Sequence, residues 1–310
     1  MRRLAATIAL FFLSACGTAI CQEQPDGVTA CLLKSNPPAY NHKLVTVTAF
    51  VSHDFEDFTL LDPTCPSWPN VWLEYGGTSK SRTMYCCGVS DSPYRPEELV
   101  IEGIPVPLII NDEFQKFDKL IQAPFRSGEH GSMVHATLVG RFFAGERQKF
   151  LSGNPWGGYG HEGCCTLLAI QEIKSVDPQD RDDLDYGASS DQPDVDKIGC
   201  GYRILTPLGP APDLIEAQRR AESGQREWAF EHPEQVASDA IGRLANVEER
   251  SVRPKQARKA QGRIVYEWKP PKKRVRYMVV VSRPYWLSFF ARDSKRVAWV
   301  VAAAYESCGE

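Results

Sequence analysis

The sequence predicts an α+β protein in which a β-rich N-terminal domain is followed by a small domain of two helices and an antiparallel sheet. Short segments rich in β-branched and aromatic residues recur between Leu44 and Tyr75, as in a meander or small barrel. An Asp-rich stretch then separates two regions with periodic apolar patterns. The predicted boundaries are residues 22–174 for the first domain, 175–198 for an acidic linker and 199–310 for the second domain.

The N-terminus, residues 1–21, has the pattern of a secretory signal peptide. The basic start MRR precedes an apolar run, residues 4–15, that is too short to span a bilayer. Residues 13–16 match the bacterial lipoprotein box with Cys16 as the lipidation candidate, whereas cleavage after Cys21 would leave a soluble chain. We therefore expect an exported protein that is periplasmic, secreted or lipid-anchored to the cell envelope, with no transmembrane helix in the mature chain.

The cysteines of an exported protein are disulfide candidates first. Cleavage after Cys21 leaves an even number of them, whereas lipidation at Cys16 leaves one without a partner. The candidates are Cys31, Cys65, Cys86, Cys87, Cys164, Cys165, Cys200 and Cys308. We expect two bridges that each join one member of the pair 86–87 to one member of the pair 164–165. A bridge from Cys200 to Cys308 would tie together the two ends of the second domain.

In the first domain, alternation of apolar and polar residues places Val45, Val47, Ala49 and Val51 on one face of a strand. A Pro- and Asp-containing turn at 62–66 follows the second strand, and Gly76-Gly77 ends the third. The predicted elements are strands at 44–51, 55–61, 71–75, 133–143 and 166–173, and a helix at 112–122 that Pro124 ends.

The run TACLLKSNPPAYNHKLVTVTAFV, residues 29–51, resembles the start of a group of uncharacterised bacterial secreted domains. In that group a short helix with a cysteine leads through Pro-x-x-Tyr into the first strand of an OB-like barrel. The resemblance covers roughly Val28–Tyr75. It implies an OB-like fold for the N-terminal domain and implies no catalytic residues.

The second domain is predicted to begin with helices at 213–224 and 233–246. Strands are predicted at 262–268, 274–282, 285–291 and 296–305. The turns between these strands are short, which favours an antiparallel sheet.

Positive charge is concentrated in this sheet, although the whole chain has a net charge of −3. The candidate residues for binding an anionic partner are Arg263, Lys269, Lys272, Lys273, Arg274 and Arg276. Aromatic residues that suit stacking are interleaved with them, namely Tyr266, Trp268, Tyr277, Tyr285 and Trp286. We expect an anionic envelope component, either lipid head groups or an acidic glycan, and export makes nucleic acid the least suitable partner. The competing interpretation is a solvated sheet face whose positive charge is offset by the acidic linker.

Sequence motifs for catalysis are weak. No G-x-S-x-G, H-E-x-x-H or phosphate-loop motif occurs, and adjacent cysteines are poor zinc ligands because neighbouring strand side chains point to opposite faces. We therefore predict a non-enzymatic binding or interaction module stabilised by disulfides, with no metal and no cofactor. The alternative is a hydrolase or metal-dependent enzyme that uses His53, Asp62 or His161.

Overall fold

The computed structural model describes residues 26–54, 57–65, 69–81, 92–127, 132–147, 156–186, 202–206, 211–260, 262–271 and 274–307. The predicted signal peptide lies outside these residues, and so do Cys16, Cys86, Cys87, Cys200, Cys308, Lys272 and Lys273. The bridge between Cys200 and Cys308 therefore stays a prediction. The nearest described residues, Tyr202 and Ser307, are paired between two antiparallel strands.

The described residues of the N-terminal half form ten strands, of which several are short. They are β1 (Asp26–Val28), β2 (Leu44–Asp54), β3 (Asp57–Leu61), β4 (Val71–Tyr75), β5 (Val100–Ile101), β6 (Ile104–Pro105), β7 (Ser132–Phe143), β8 (Glu146–Arg147), β9 (Trp156–Gly157) and β10 (Thr166–Val176). Five of them pair in the order β2-β3-β4-β10-β7, and β7 returns to β2, which closes a barrel. Within the barrel only β4 and β10 run parallel. This closed sheet in a mixed α+β structure is consistent with an OB-like barrel.

The barrel core follows the alternation that the sequence predicts for β2. Val45, Val47, Ala49 and Val51 are buried in one apolar cluster with the inward side chains of β7. The outward Thr48 instead exchanges a hydrogen bond of 2.9 Å with Thr137 on β7. A strand with one face in the core fixes the register of its neighbours, because a one-residue shift would expose every apolar side chain.

Two helices pack on the barrel. α1 (Ala30–Ser35) is capped by Thr29, whose hydroxyl accepts from the Leu32 amide. α2 (Asp112–Ser127) buries Phe114, Phe117 and Ile121. The prediction that Pro124 ends this helix is wrong. A proline in the last turn removes only one backbone donor, and the helix continues to Ser127.

Two disulfides occur among the described residues. Cys31 on α1 is bonded to Cys65 after β3, with their Cα atoms 5.4 Å apart. Cys164 is bonded to its neighbour Cys165, so the predicted bridges from these two residues to Cys86 and Cys87 are wrong for this structure. Adjacent residues are already held 3.7 Å apart at Cα by the chain, so they can bond without a second segment.

The C-terminal half forms an open antiparallel sheet with two helices. Its elements are β11 (Tyr202–Thr206), α3 (Ala211–Glu222), α4 (Pro233–Ala245), β12 (Lys255–Ala260), β13 (Arg263–Trp268), β14 (Arg276–Ser282) and β15 (Val300–Ser307). The strand order is β11-β15-β14-β13-β12. α4 lies on one face and buries Val236, Ala240 and Ile241 in the same cluster as Trp268 and Val279.

Three predictions for this half need correction. The strand expected at 285–291 is a 3₁₀-helix, Tyr285–Phe289, in which the Leu287 amide bonds the Pro284 carbonyl. The strand expected at 296–305 begins only at Val300. The predicted strands also lack β11 and β12. For β12 (KQARKA) the reason is that it lacks the apolar alternation that identifies a half-buried strand.

Residues 177–186, which we call the connecting segment, differ from the solvated linker expected there. Leu184 is buried between the two halves, and the Tyr186 carbonyl accepts from the Met133 amide of the barrel at 2.9 Å. Asp185 forms an ion pair with Arg263 on β13, with 2.8 Å between Oδ2 and a guanidinium nitrogen. The connecting segment therefore joins the barrel to the C-terminal sheet.

Gly262 provides a test of this joint. Its φ is +58°, and an added Cβ would lie 2.2 Å from both the Asp185 nitrogen and the Leu184 carbonyl carbon. We expect Gly262→Ala to lower the free energy of unfolding by roughly 3 kcal/mol, because backbone strain and overpacking add. Urea denaturation followed by circular dichroism measures this change.

The matched control is Gly224→Ala, because Gly224 has a φ of +85° but no atom within 4 Å of an added Cβ. This variant should lose only about 1 kcal/mol. Equal losses for the two variants would show that the close approach of residues 184–185 to Gly262 does not hold in solution.

Candidate functional site: the cationic edge of the C-terminal sheet

β12 is the last strand of the C-terminal sheet, and its side chains are exposed along its whole length. Within the described part of the chain it pairs only with β13, so its outer backbone groups have no ladder partner. All six residues are exposed, among them Lys255, Arg258 and Lys259. A register shift between Gln256 and Arg258 interrupts the pairing, which is a common way to keep an edge strand from recruiting another strand.

Two further cations lie where β13 and β14 meet. Lys269 directly follows β13, Arg274 lies two residues before β14, and both are exposed. Lys255 is paired with Glu267 across the β12–β13 ladder, so Lys255 and Lys269 lie at the same end of the sheet. We define the cationic edge as Lys255, Arg258, Lys259, Lys269 and Arg274. Among the described residues, none of these five side chains has an ion-pair or hydrogen-bond partner.

The predicted binding residues differ in exposure and in ion pairing. Arg263 is not available, because its side chain is only 13% exposed and is paired with Asp185, which is 10% exposed. Arg276 has an ion-pair partner, because its guanidinium nitrogen Nη1 lies 3.6 Å from Oε2 of Glu267. Lys269 and Arg274 are exposed as predicted, while Lys272 and Lys273 lie outside the described residues.

The sequence prediction missed Lys255, Arg258 and Lys259, which the edge position of β12 adds to the site. The signal that could have found them is the composition of residues 255–260, because lysine on a short strand is typical of sheet edges.

The aromatic residues expected to stack on a ligand are not exposed on this edge. Tyr266, Trp268 and Tyr277 are buried in the apolar cluster beneath α4, and Tyr285 is buried at the barrel. The cationic edge therefore offers charge and hydrogen-bond donors, without the stacking surface that single-stranded nucleic acid requires.

The outer face of β3 and β4, which is the ligand face of many OB barrels, is covered by the chain itself. Trp72 is buried, and a Cβ on Gly160 would lie 2.7 Å from its ring. Next to it, Glu74 accepts a hydrogen bond of 3.0 Å from Arg95, which also donates to the Ser79 carbonyl at 2.8 Å. The β4 part of this face is therefore covered by the protein's own loops.

The alternative catalytic residues have separate structural surroundings. His53 is buried, with Nε2 3.2 Å from the Ser81 carbonyl. Asp62 accepts from the amide and hydroxyl of Thr64. In the β2–β3 ladder His53 lies opposite Phe58. Asp62 is four residues beyond Phe58, which along an extended strand is about 13 Å from the position of His53. His161 begins a 3₁₀-helix just before β10.

One group of potential metal ligands was found among the described residues. Ligand atoms of Cys31, Asp62 and Cys65 lie within 4.8 Å of one another. Both sulfurs are bonded to each other, so neither is a thiolate that could bind a metal.

No protein-family model, curated protein or solved structure matches the chain. The resemblance to a group of secreted domains therefore stays a prediction. None of the helices in the described ranges has the length and apolarity needed to cross a bilayer.

Glu74 generates a prediction about pH. Burial raises the pKa of its carboxyl from 4.5 to about 7, against the opposing effect of Arg95. The folded protein thus keeps this proton to a higher pH than the unfolded chain does, so the stability that Glu74 contributes falls as the pH rises from 4.5 to about 7. The decrease should be at most roughly 3 kcal/mol.

Glu74→Gln removes this titration and keeps a hydrogen-bond acceptor for Arg95. Unfolding free energies of the native protein and of the variant are compared across that pH interval, and their difference isolates Glu74. We expect the native protein to lose stability relative to Glu74→Gln as the pH rises. If its stability relative to the variant stays constant or increases instead, Glu74 is ionised beside Arg95.

Proposed function

We propose that this protein is an exported, disulfide-stabilised binding module that contacts anionic lipid head groups through the cationic edge. The observation that carries the proposal is that five exposed cations lie along one edge and one end of the C-terminal sheet without a partner among the described residues. The covered barrel face leaves this edge as the best-supported contact surface.

Physical chemistry supports a membrane surface as the partner. Exposed cations attract a surface rich in phosphate over about one Debye length, and each contributes roughly 1 kcal/mol when it lies close to that surface. Lysine and arginine side chains on a projecting strand can reach such a surface without conformational change. The interaction needs no pocket and no catalytic group.

The proposed architecture is two domains, an OB-like barrel and an α+β domain with a cationic sheet. The support is that the core of the barrel and the core beneath α4 share no residue. A third, smaller cluster joins them, with Phe50 and Met133 from the barrel and Tyr285 and Leu287 from the C-terminal half.

Charge reversal tests the binding surface. Arg258→Glu with Lys259→Glu should weaken binding to phosphatidylglycerol vesicles at least tenfold or so, because two attractive charges become repulsive. Added salt should weaken binding of the native protein in the same assay. Both effects are measured by vesicle sedimentation, with vesicles of phosphatidylcholine alone as the uncharged reference.

The matched control is Lys119→Glu with Lys295→Glu, which changes the net charge equally at two exposed lysines outside the cationic edge. If both double variants lose binding equally, net charge and not this edge controls it. Binding to a polyuronic acid but not to the vesicles would replace the lipid surface with an acidic glycan as partner.

Export rests on the N-terminal pattern and is tested by the intact mass of protein purified from the cell envelope. A chain beginning at Gln22 is expected for soluble export, and a chain beginning at Cys16 with acyl chains is expected for a lipoprotein. A chain that retains residues 1–15 would contradict export by either route.

A further inference from the structure

A histidine and a carboxylate meet where the barrel touches the C-terminal half. His135 lies on the outer face of β7, directly opposite Phe50 of β2. Asp177 follows β10 and is held there by a backbone bond of 3.0 Å from its amide to the His135 carbonyl. Its Oδ2 lies 2.5 Å from His135 Nδ1, so the side chains are paired as well as the backbones.

This pairing determines what the other ring nitrogen can do. The carboxylate accepts a hydrogen bond from Nδ1–H, so a neutral imidazole carries its free lone pair on Nε2. The side chain of His135 is 18% exposed, and among the described residues its ring has no hydrogen-bond partner besides Asp177. Nε2 is therefore a proton acceptor that remains available to a ligand.

Aromatic rings hold the imidazole in place. The His135 ring centroid lies 4.3 Å from that of Phe289 and 4.8 Å from that of Phe50. Phe50 is buried, whereas Phe289 is 45% exposed and forms an apolar wall at the surface beside the imidazole. A large exposed aromatic ring next to an oriented base offers a place where an apolar group of a ligand can lie.

A buried tyrosine supports the cluster from inside. Tyr285 is only 5% exposed, its ring packs 5.3 Å from Phe289, and its hydroxyl is buried. Burial, followed by the nearby charge of Asp177, raises the pKa of this phenol well above its usual value. The hydroxyl therefore keeps its proton, and the tyrosine ring supports Phe289 from the interior.

We propose that the protein hydrolyses activated esters at this junction, with His135, oriented by Asp177, as the general base. As the oxygen of a water molecule bonds to the ester carbonyl carbon, Nε2 takes one proton of that water. When the carbon–oxygen bond to the leaving alcohol breaks, the imidazolium returns the proton to the alkoxide, and a carboxylic acid and an alcohol are released. His135 is thus the general base of the first step and the general acid of the second. This activity is separate from the proposed membrane contact, because neither site contains a residue of the other.

The test uses the full chain with p-nitrophenyl acetate as substrate. We expect His135→Gln to lower kcat/KM roughly 100-fold, because the proton acceptor for the attacking water is lost. Asp177→Asn acts through His135 and should lower kcat with little change in KM. Near-UV circular dichroism establishes that each variant is folded.

The matched control is His232→Gln, because His232 also faces a carboxylate, with Nδ1 3.2 Å from Glu234, but its side chain is more than half exposed and no ring of the described residues packs against it. It should keep the native rate. If His135→Gln hydrolyses the ester at the native rate, or if both histidine variants lose it equally, the proposal is overturned.

A second measurement tests the proposal even if His135→Gln does not fold. Diethyl pyrocarbonate is added to the native protein, modified histidines are identified by peptide mass spectrometry, and the remaining ester hydrolysis is followed in parallel. Loss of hydrolysis in proportion to modification of His135 supports the proposal. Full activity after His135 is modified overturns it.

Discussion

The strand β2 is the element on which the rest of the molecule depends. It pairs with β1, β3 and β7, and its pairing with β7 closes the barrel. Its inward side chains belong to the barrel core, while its outward Phe50 belongs to the cluster that joins the C-terminal half. Because side chains alternate along a strand, a single register satisfies both requirements, and a shift by one residue would lose both.

Burial decides which charges are available for interaction. Arg263 and Arg258 lie on neighbouring strands, yet Arg263 is enclosed with Asp185 while Arg258 is exposed. Removing one member of the enclosed pair would leave an uncompensated charge, so this pair holds the connecting segment against the sheet. The exposed cations contribute little to the fold, and this is the physical reason they remain available to a partner.

The parts of the fold that the sequence predicts are those with a clear periodicity. β2, β4, β7 and the helix beginning at Asp112 follow from alternation and helical spacing. β12 could not be found this way, because its side chains are exposed on both faces. Spacing by two also fits Tyr285, Leu287 and Phe289 to a strand, whereas tertiary contacts with the barrel place them on a 3₁₀-helix.

The candidate sites were predictable only where charge was concentrated in the sequence. Lys269 and Arg274 were recognised, but the pairing of His135 with Asp177 joins residues 42 positions apart that no local motif connects. Such a pair depends on the register of β7 against β10, which the sequence does not reveal.

The close approach at Gly262 also restricts which sequences can share this architecture. A side chain at that position would occupy the space of the 184–185 backbone, so any relative with a larger residue there must route its connecting segment differently. Variation at position 262 is thus coupled to the path of residues far away in the chain. A set of relatives would record this constraint as a glycine retained only where a segment like 184–185 crosses the start of β13.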